Sequence, residues 1–198
     1  SITSLVRANP TYGQSIVSYS GSGSAATLGH GLSAAPEWIL VKNRQNTDAW
    51  SVYYGDNTDY MVLNTTAATA DNANRWNDTS PTSSVFTVGT DHSVNADGEP
   101  YIAYCWHSVA NYTKIGTYTG NATSGLTITT GFRPAFLLVK EFGQGGENWY
   151  VFDSNREPLG ELQTAIKLDS DAAEVSSSAK KVEFTSTGFK LNSTNSAL

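Results

Sequence analysis

Apolar residues in this chain come in short runs separated by polar stretches rich in glycine, asparagine, serine and threonine. Runs of this length suit strands rather than helices that must bury a face. Ile39 to Val41 and Phe136 to Val139 are continuously apolar, which predicts strands buried on both faces. Pro36 and Pro134 stand just before them, where a strand needs no ladder donor. Met61–Leu63, Ser84–Val88, Tyr101–Trp106, Thr113–Tyr118 and Leu126–Thr129 are further predicted strands. Between Leu162 and Leu168, alternation puts Leu162, Thr164, Ile166 and Leu168 on one buried face. Asp171 to Val175 is the single segment that reads as a short helix. Gly21–Ser24, Asp56–Asp59, Asp71–Asn74 and Gly143–Gly146 carry turn chemistry.

The pattern occurs twice. Ile16-Val17-Ser18-Tyr19-Ser20-Gly21 returns as Ile115-Gly116-Thr117-Tyr118-Thr119-Gly120, and Pro36-Glu37-Trp38-Ile39-Leu40-Val41-Lys42 as Pro134-Ala135-Phe136-Leu137-Leu138-Val139-Lys140. Trp50-Ser51-Val52-Tyr53 returns as Trp149-Tyr150-Val151-Phe152, and Phe86-Thr87 as Phe184-Thr185. Four blocks in one order at one spacing mark an internal duplication. The expected fold is all-β: an antiparallel β-sandwich of the jelly-roll, concanavalin A-like type, built from two sequence-related halves. The halves span about 12–110 and 111–198 of one domain covering 1–198. Val109-Ala110-Asn111 is too short for an obvious linker, which makes two separate domains the lesser alternative.

The second copy lacks a counterpart of Tyr101–Trp106 within the sequence given. A sheet without that strand leaves an open edge. Ile2-Thr3-Ser4-Leu5-Val6 could fill it, or a neighbouring subunit could donate a strand. The favoured expectation is that the chain given is part of a longer one.

Composition narrows the function. Serine, threonine, asparagine, glycine and aromatic residues are plentiful and charges few, as on all-β surface proteins. A net charge of −6 with no basic stripe argues against nucleic acid as a partner. No apolar run is long enough for membrane insertion as a helix. The one cysteine, Cys105, excludes an internal disulfide and reads as a core hydrophobe.

Candidate chemistry is sparse. The glutamates are scattered, without the Glu-x-Asp-x-Glu spacing of sandwich-fold glucanases, so a polysaccharide-degrading enzyme is a remote alternative. His30, His92 and His107 belong to no nucleophile or zinc motif, and no catalytic residue is assigned. Asn95-Ala96-Asp97-Gly98-Glu99, with Asp91 nearby, spaces oxygen ligands around a glycine as a calcium loop does. Asp91, Asn95, Asp97 and Glu99 are therefore candidate calcium ligands, set against their plain use as turn formers. For carbohydrate, an aromatic face flanked by amides is the usual arrangement. Trp76 lies in the polar stretch 72–78 and is the best candidate for exposure among the five tryptophans, although packing beneath its own loop is the favoured role; Asn74, Asn77 and Asp78 beside it complete the candidate ligand-binding residues. Trp38, Trp50, Trp106 and Trp149 are expected in the core. Asn-x-Ser/Thr sequons at Asn64, Asn77, Asn111, Asn121 and Asn192 arise readily in such a composition.

Longer motifs point to a family. Gly29-His30-Gly31-Leu32 with Ala35-Pro36-Glu37-Trp38-Ile39-Leu40-Val41-Lys42, the stretch Trp76 to Gly89, and Tyr101-Ile102-Ala103-Tyr104-Cys105-Trp106 resemble a repeated domain of marine tailed-phage virion structural proteins. Thr130-Gly131-Phe132-Arg133-Pro134 and Phe184-Thr185-Ser186-Thr187-Gly188-Phe189-Lys190-Leu191 extend the resemblance over about 16–191. It implies a concanavalin- or laminin-G-like sandwich on the virion surface, as tail fibre, capsid fibre or decoration. It implies no catalytic or ligand residues. The expected function is non-enzymatic: adhesion to host-surface glycans or attachment to neighbouring virion proteins, with a homo-oligomer as a further expected partner. A purely structural capsid or tail decoration without ligand is the alternative.

Overall fold

The computed structural model describes residues 1–157, 161–176, 180–193 and 198. The chain is nearly all strand and turn, its sheets antiparallel, and it divides into two compact units. No helix among the described residues is long and apolar enough to cross a membrane.

The first unit comprises Ser1–Leu63 and Thr69–Gly116. Its strands are β1 (Ser4–Asn9), β2 (Gln14–Ser20), β3 (Ala26–Gly29), β4 (Trp38–Asn43), β5 (Ser51–Tyr53), β6 (Asp59–Val62), β7 (Ala70–Asp71), β8 (Val85–Val88) and β9 (Pro100–Trp106). Two single-turn helices, α1 (Ala73–Trp76) and α2 (His92–Asn95), interrupt them. One sheet runs β1-β2-β9-β4-β5-β6-β7, and β3 and β8 form a second, two-stranded sheet. Period-2 alternation supplies the core. Val17 and Tyr19 of β2, Ile39 and Val41 of β4, and Tyr101, Ala103 and Cys105 of β9 pack in one cluster with Leu28, Phe86 and Val88 of the smaller sheet. Burial pushes the Cys105 thiol up to about 12, so it stays protonated and inert. Tyr19 and Tyr101 stack at 5.2 Å, and their hydroxyls donate to the Val94 and His92 carbonyls, tying α2 to the sheet. Gly13 closes the β1–β2 turn at φ 63°, where a Cβ would sit 2.7 Å from the His107 carbonyl oxygen.

The second unit comprises Asn64–Ala68 and Thr117–Leu198. Its strands are β10 (Leu126–Thr129), β11 (Phe136–Val139), β12 (Tyr150–Asp153), β13 (Glu161–Leu162), β14 (Thr164–Lys167), β15 (Val175–Ser176), β16 (Val182–Thr185) and β17 (Gly188–Leu191). They form two four-stranded sheets, β10-β17-β16-β13 and β11-β12-β14-β15. Val139, Tyr150, Phe152 and Ala165 of one sheet meet Leu162, Val182, Phe184, Phe189 and Leu191 of the other in a separate core.

The sequence repeat recurs in strand register. Ile39 pairs with Tyr53, Leu40 with Val52 and Val41 with Ser51; their counterparts Leu137, Leu138 and Val139 pair with Phe152, Val151 and Tyr150. Even a loop staple is duplicated: Lys42 Nζ donates to the Asn43 and Asn46 carbonyls, Lys140 Nζ to those of Glu141 and Glu147.

Several expectations are overturned. Thr113–Tyr118 is not a strand; Thr113 makes only an isolated bridge to Val109. In the first copy the corresponding β2 is held by β9; among the described residues of the second copy, no strand pairs with 113–118. Asp171–Val175 is not a helix: 171–174 is irregular and Val175 enters β15 opposite Ala165. The strands at 39–41 and 136–139 are not buried on both faces; β4 alternates buried with half-buried, and Phe136 is 60% exposed. The face assigned to Leu162–Leu168 breaks at Gln163. β13 joins one sheet and β14 the other, so Ala165 rather than Ile166 reaches the core. Ile2 to Val6 does not complete the second copy, because β1 pairs with β2.

Candidate functional site: the outer face of the seven-stranded sheet

Trp76 does not reach solvent. It is 1% exposed and packs edge-on against Tyr53 at 5.8 Å, beneath its own loop, so the candidate site has no open indole platform. Asn72 caps α1 by accepting from the Asn74 backbone N–H, and Asn77 ends it in the left-handed region at φ 54°. One helical turn swings the indole inward and leaves Asn74, Asn77 and Asp78 exposed at the rim. Asn74 Oδ1 accepts from the Thr90 hydroxyl, and the Asp78 carbonyl accepts from Asn57 Nδ2. These amides hold loops together; the aromatic partner they needed for a sugar is beneath them.

The four candidate calcium ligands do not converge. Asp91 caps α2, accepting from the Ser93 N–H and hydroxyl, and lies 3.4 Å from Arg75. Burial pushes its carboxyl up, but the Ser93 donors and the Arg75 guanidinium outweigh this and hold it below the ordinary value. Asn95 is fully buried: its Oδ1 accepts from the Ser22 N–H, and its Nδ2 donates to the Ser24 and Gly89 carbonyls. Glu99 accepts from Asn43 Nδ2 at 2.5 Å and Asn46 Nδ2 at 2.6 Å, while Asp97 is exposed at the turn. Among the described residues, no three His, Cys, Asp or Glu side chains are grouped to hold a metal.

The histidines are similarly dispersed. His30 is fully buried, its Nδ1 accepting from the Leu32 N–H and its Nε2 donating to the Thr82 carbonyl; burial lowers its pKa. His92 faces Asp48, and His107 Nδ1 lies 2.8 Å from the Ser108 carbonyl. Glu37 accepts from the Ser108 N–H and Glu157 from the Gln163 and Thr164 N–H groups.

The side chains that do gather lie on the face of the large sheet turned away from its core. Ile102, Tyr104 and Trp106 occupy the outward parity of β9 and are half-buried. Tyr104 stacks with Trp106 at 6.1 Å and with Trp50 at 6.5 Å. Ladder register extends the row: Trp106 stands between Gln14 and Trp38, and Tyr104 between Ile16 and Leu40. Beside it a shallow trough is lined by Arg7, Asn9, Gln14, Ile16, Tyr104 and Trp106. Aromatic surface flanked by amides and a guanidinium suits a sugar ring or a protein side chain. Trp38, Trp50 and Trp106 were expected in the core, yet all three are half-buried. The Tyr101–Trp106 run conceals this because both parities are apolar or aromatic.

No curated protein and no solved structure matches the chain. A family profile described as "Domain of unknown function (DUF7483)" matches residues 1–198, and the chain belongs to that family.

Proposed function

We propose that this chain is a non-enzymatic attachment domain of a virion surface or fibre protein, which holds carbohydrate or a neighbouring virion protein on the outer face of its seven-stranded sheet. The observation that carries the reading is the stacked row Trp50, Tyr104 and Trp106 beside Arg7, Asn9 and Gln14. Half-exposed aromatic rings contribute nothing to the core they turn away from, and they gain by covering an apolar ring face. The acidic side chains near the former candidate sites are spent on caps and turns, which suits a scaffold. The virion setting rests on the sequence resemblance alone. A ligand-free decoration is the second reading, favoured by the side chains of Asp91, Asn95 and Glu99 being spent on caps and loop hydrogen bonds.

A glycan array probed with the full chain tests the adhesive part. Trp106→Ala and Tyr104→Ala should each weaken capture about tenfold or more, as loss of a stacking ring does. Asn74→Ala, at the rim of the α1 loop, should leave it unchanged. Capture insensitive to both aromatic substitutions would remove this face from consideration.

A further inference from the structure

Two shallow hollows on the outer face of the seven-stranded sheet share Arg7 and Ile16. One is the trough beside Tyr104 and Trp106; the other adds Leu5, Val6 and Ser18 to the shared pair. Arg7 is the single charged side chain lining either hollow, in a chain with 18 acidic residues against 12 basic ones. Among the described residues its guanidinium has no hydrogen bond, ion pair or ring contact. Other arginines are spent within the fold. Arg75 faces Asp91 and covers Tyr60, Arg133 donates to the Phe184 carbonyl, and Arg156 pairs with Asp153 and Glu174. Arg44 is exposed past the far end of β4 and lines neither hollow.

Strand register fixes the distance between the cation and the rings. Arg7 stands opposite Ile16, and Ile16 opposite Tyr104; the neighbouring outward row is Asn9, Gln14 and Trp106. Paired strands lie about 4.8 Å apart, which puts the Arg7 backbone about 10 Å from that of Tyr104. Ile16, 46% exposed, is the apolar floor between them. One pyranose laid on Tyr104 and Trp106 covers this floor, and a carboxylate carried off the ring edge meets the guanidinium. Asn9 Oδ1 accepts from the Tyr12 N–H, which holds the amide in place and leaves its Nδ2 as a donor to a ring hydroxyl.

We propose that the trough takes one hexuronate residue of an otherwise neutral glycan, stacked on Tyr104 and Trp106 with its carboxylate on Arg7, an assignment that rests on the carbohydrate reading of this face. The planar guanidinium fork pairs with a carboxylate through two parallel hydrogen bonds. Sulfated polysaccharides are read by clusters of cations, whereas a single cation lines this trough. A net charge of −6 also opposes a dense polyanion, which leaves one acidic sugar among neutral ones as the fitting ligand.

The test titrates the full chain with tetrasaccharides carrying one glucuronate or one galacturonate, each beside its carboxyl-reduced counterpart. The acidic form should bind about tenfold or more tighter at low salt, as a charge-assisted pair does, and the margin should narrow as salt rises. Arg7→Gln should bring the two forms to one affinity. Arg44→Gln removes the same charge elsewhere and should keep the margin. Trp106→Ala should weaken both forms together. Equal binding of both forms by the unaltered chain, lost in Trp106→Ala, overturns the hexuronate assignment and leaves the face a carbohydrate site. A margin that survives Arg7→Gln, or a monosulfated counterpart bound as tightly as the uronate form, overturns it in the same way. Binding of neither form overturns the assignment and leaves attachment to protein. Binding indifferent to Trp106→Ala overturns the assignment together with the reading of the face.

Discussion

Trp76 sits in a polar stretch of the chain and is among its most buried side chains. Asn72 explains the contradiction. As an N-cap it starts a single helical turn, and Trp76 closes that turn on its inner side. Asp91 starts α2 in the same way, and both caps looked like ordinary turn residues. The Asp91 carboxylate also faces Arg75, whose guanidinium covers the Tyr60 ring at 4.1 Å. Its folded pKa is depressed, so its stabilisation is present above its unfolded value and is lost as pH falls through the folded one. Asp91→Asn keeps a capping oxygen but loses the charge. Urea unfolding at neutral pH should show a loss of about 1 kcal/mol, which shrinks at a pH below the depressed folded pKa, where the wild-type carboxyl is protonated as well. An equal loss at both pH values would show that the charge on Asp91 contributes nothing.

Strand positions were legible wherever an apolar run was bounded by proline or glycine, as at β4, β9 and β11. Strand faces were less so, because a run apolar on both parities does not say which side meets the core. β9 is the case that matters: Tyr101, Ala103 and Cys105 turn inward, while Tyr104 and Trp106 build the candidate recognition face. In β13–β14 the alternation was clear but misleading, since Gln163 separates strands of two sheets and shifts the parity. A pair of substitutions checks the face directly. Ala165→Glu places a carboxylate in the second core, and should cost about 3 kcal/mol or more in denaturant unfolding. Ile166→Glu, at a position 39% exposed, should cost within about 1 kcal/mol. The reverse order would restore the face read from the alternation.

The two compact units each hold their own buried cluster, and among the described residues their strands are paired differently. The repeat made this visible: Ile115 to Gly120 copies the residues of β2 without forming a strand, because pairing depends on a neighbour as well as on the segment itself. No reading of that segment in isolation could have separated the two cases. The central strands of the first unit are paired on both sides, so their amides exchange only when the unit opens. The second unit has four-stranded sheets, and among the described residues β11, which packs on its core through Val139, lies at the edge of one of them. Its opening should therefore cost less. Native-state hydrogen exchange in rising urea should release the amides of β12 and β16 before those of β2, β4 and β9, with opening free energies lower by about 2 kcal/mol or more. Simultaneous release of both sets would mean that the edge position of β11 costs its unit little stability, and that the stability of either unit is set by its apolar cluster rather than by how its strands are paired.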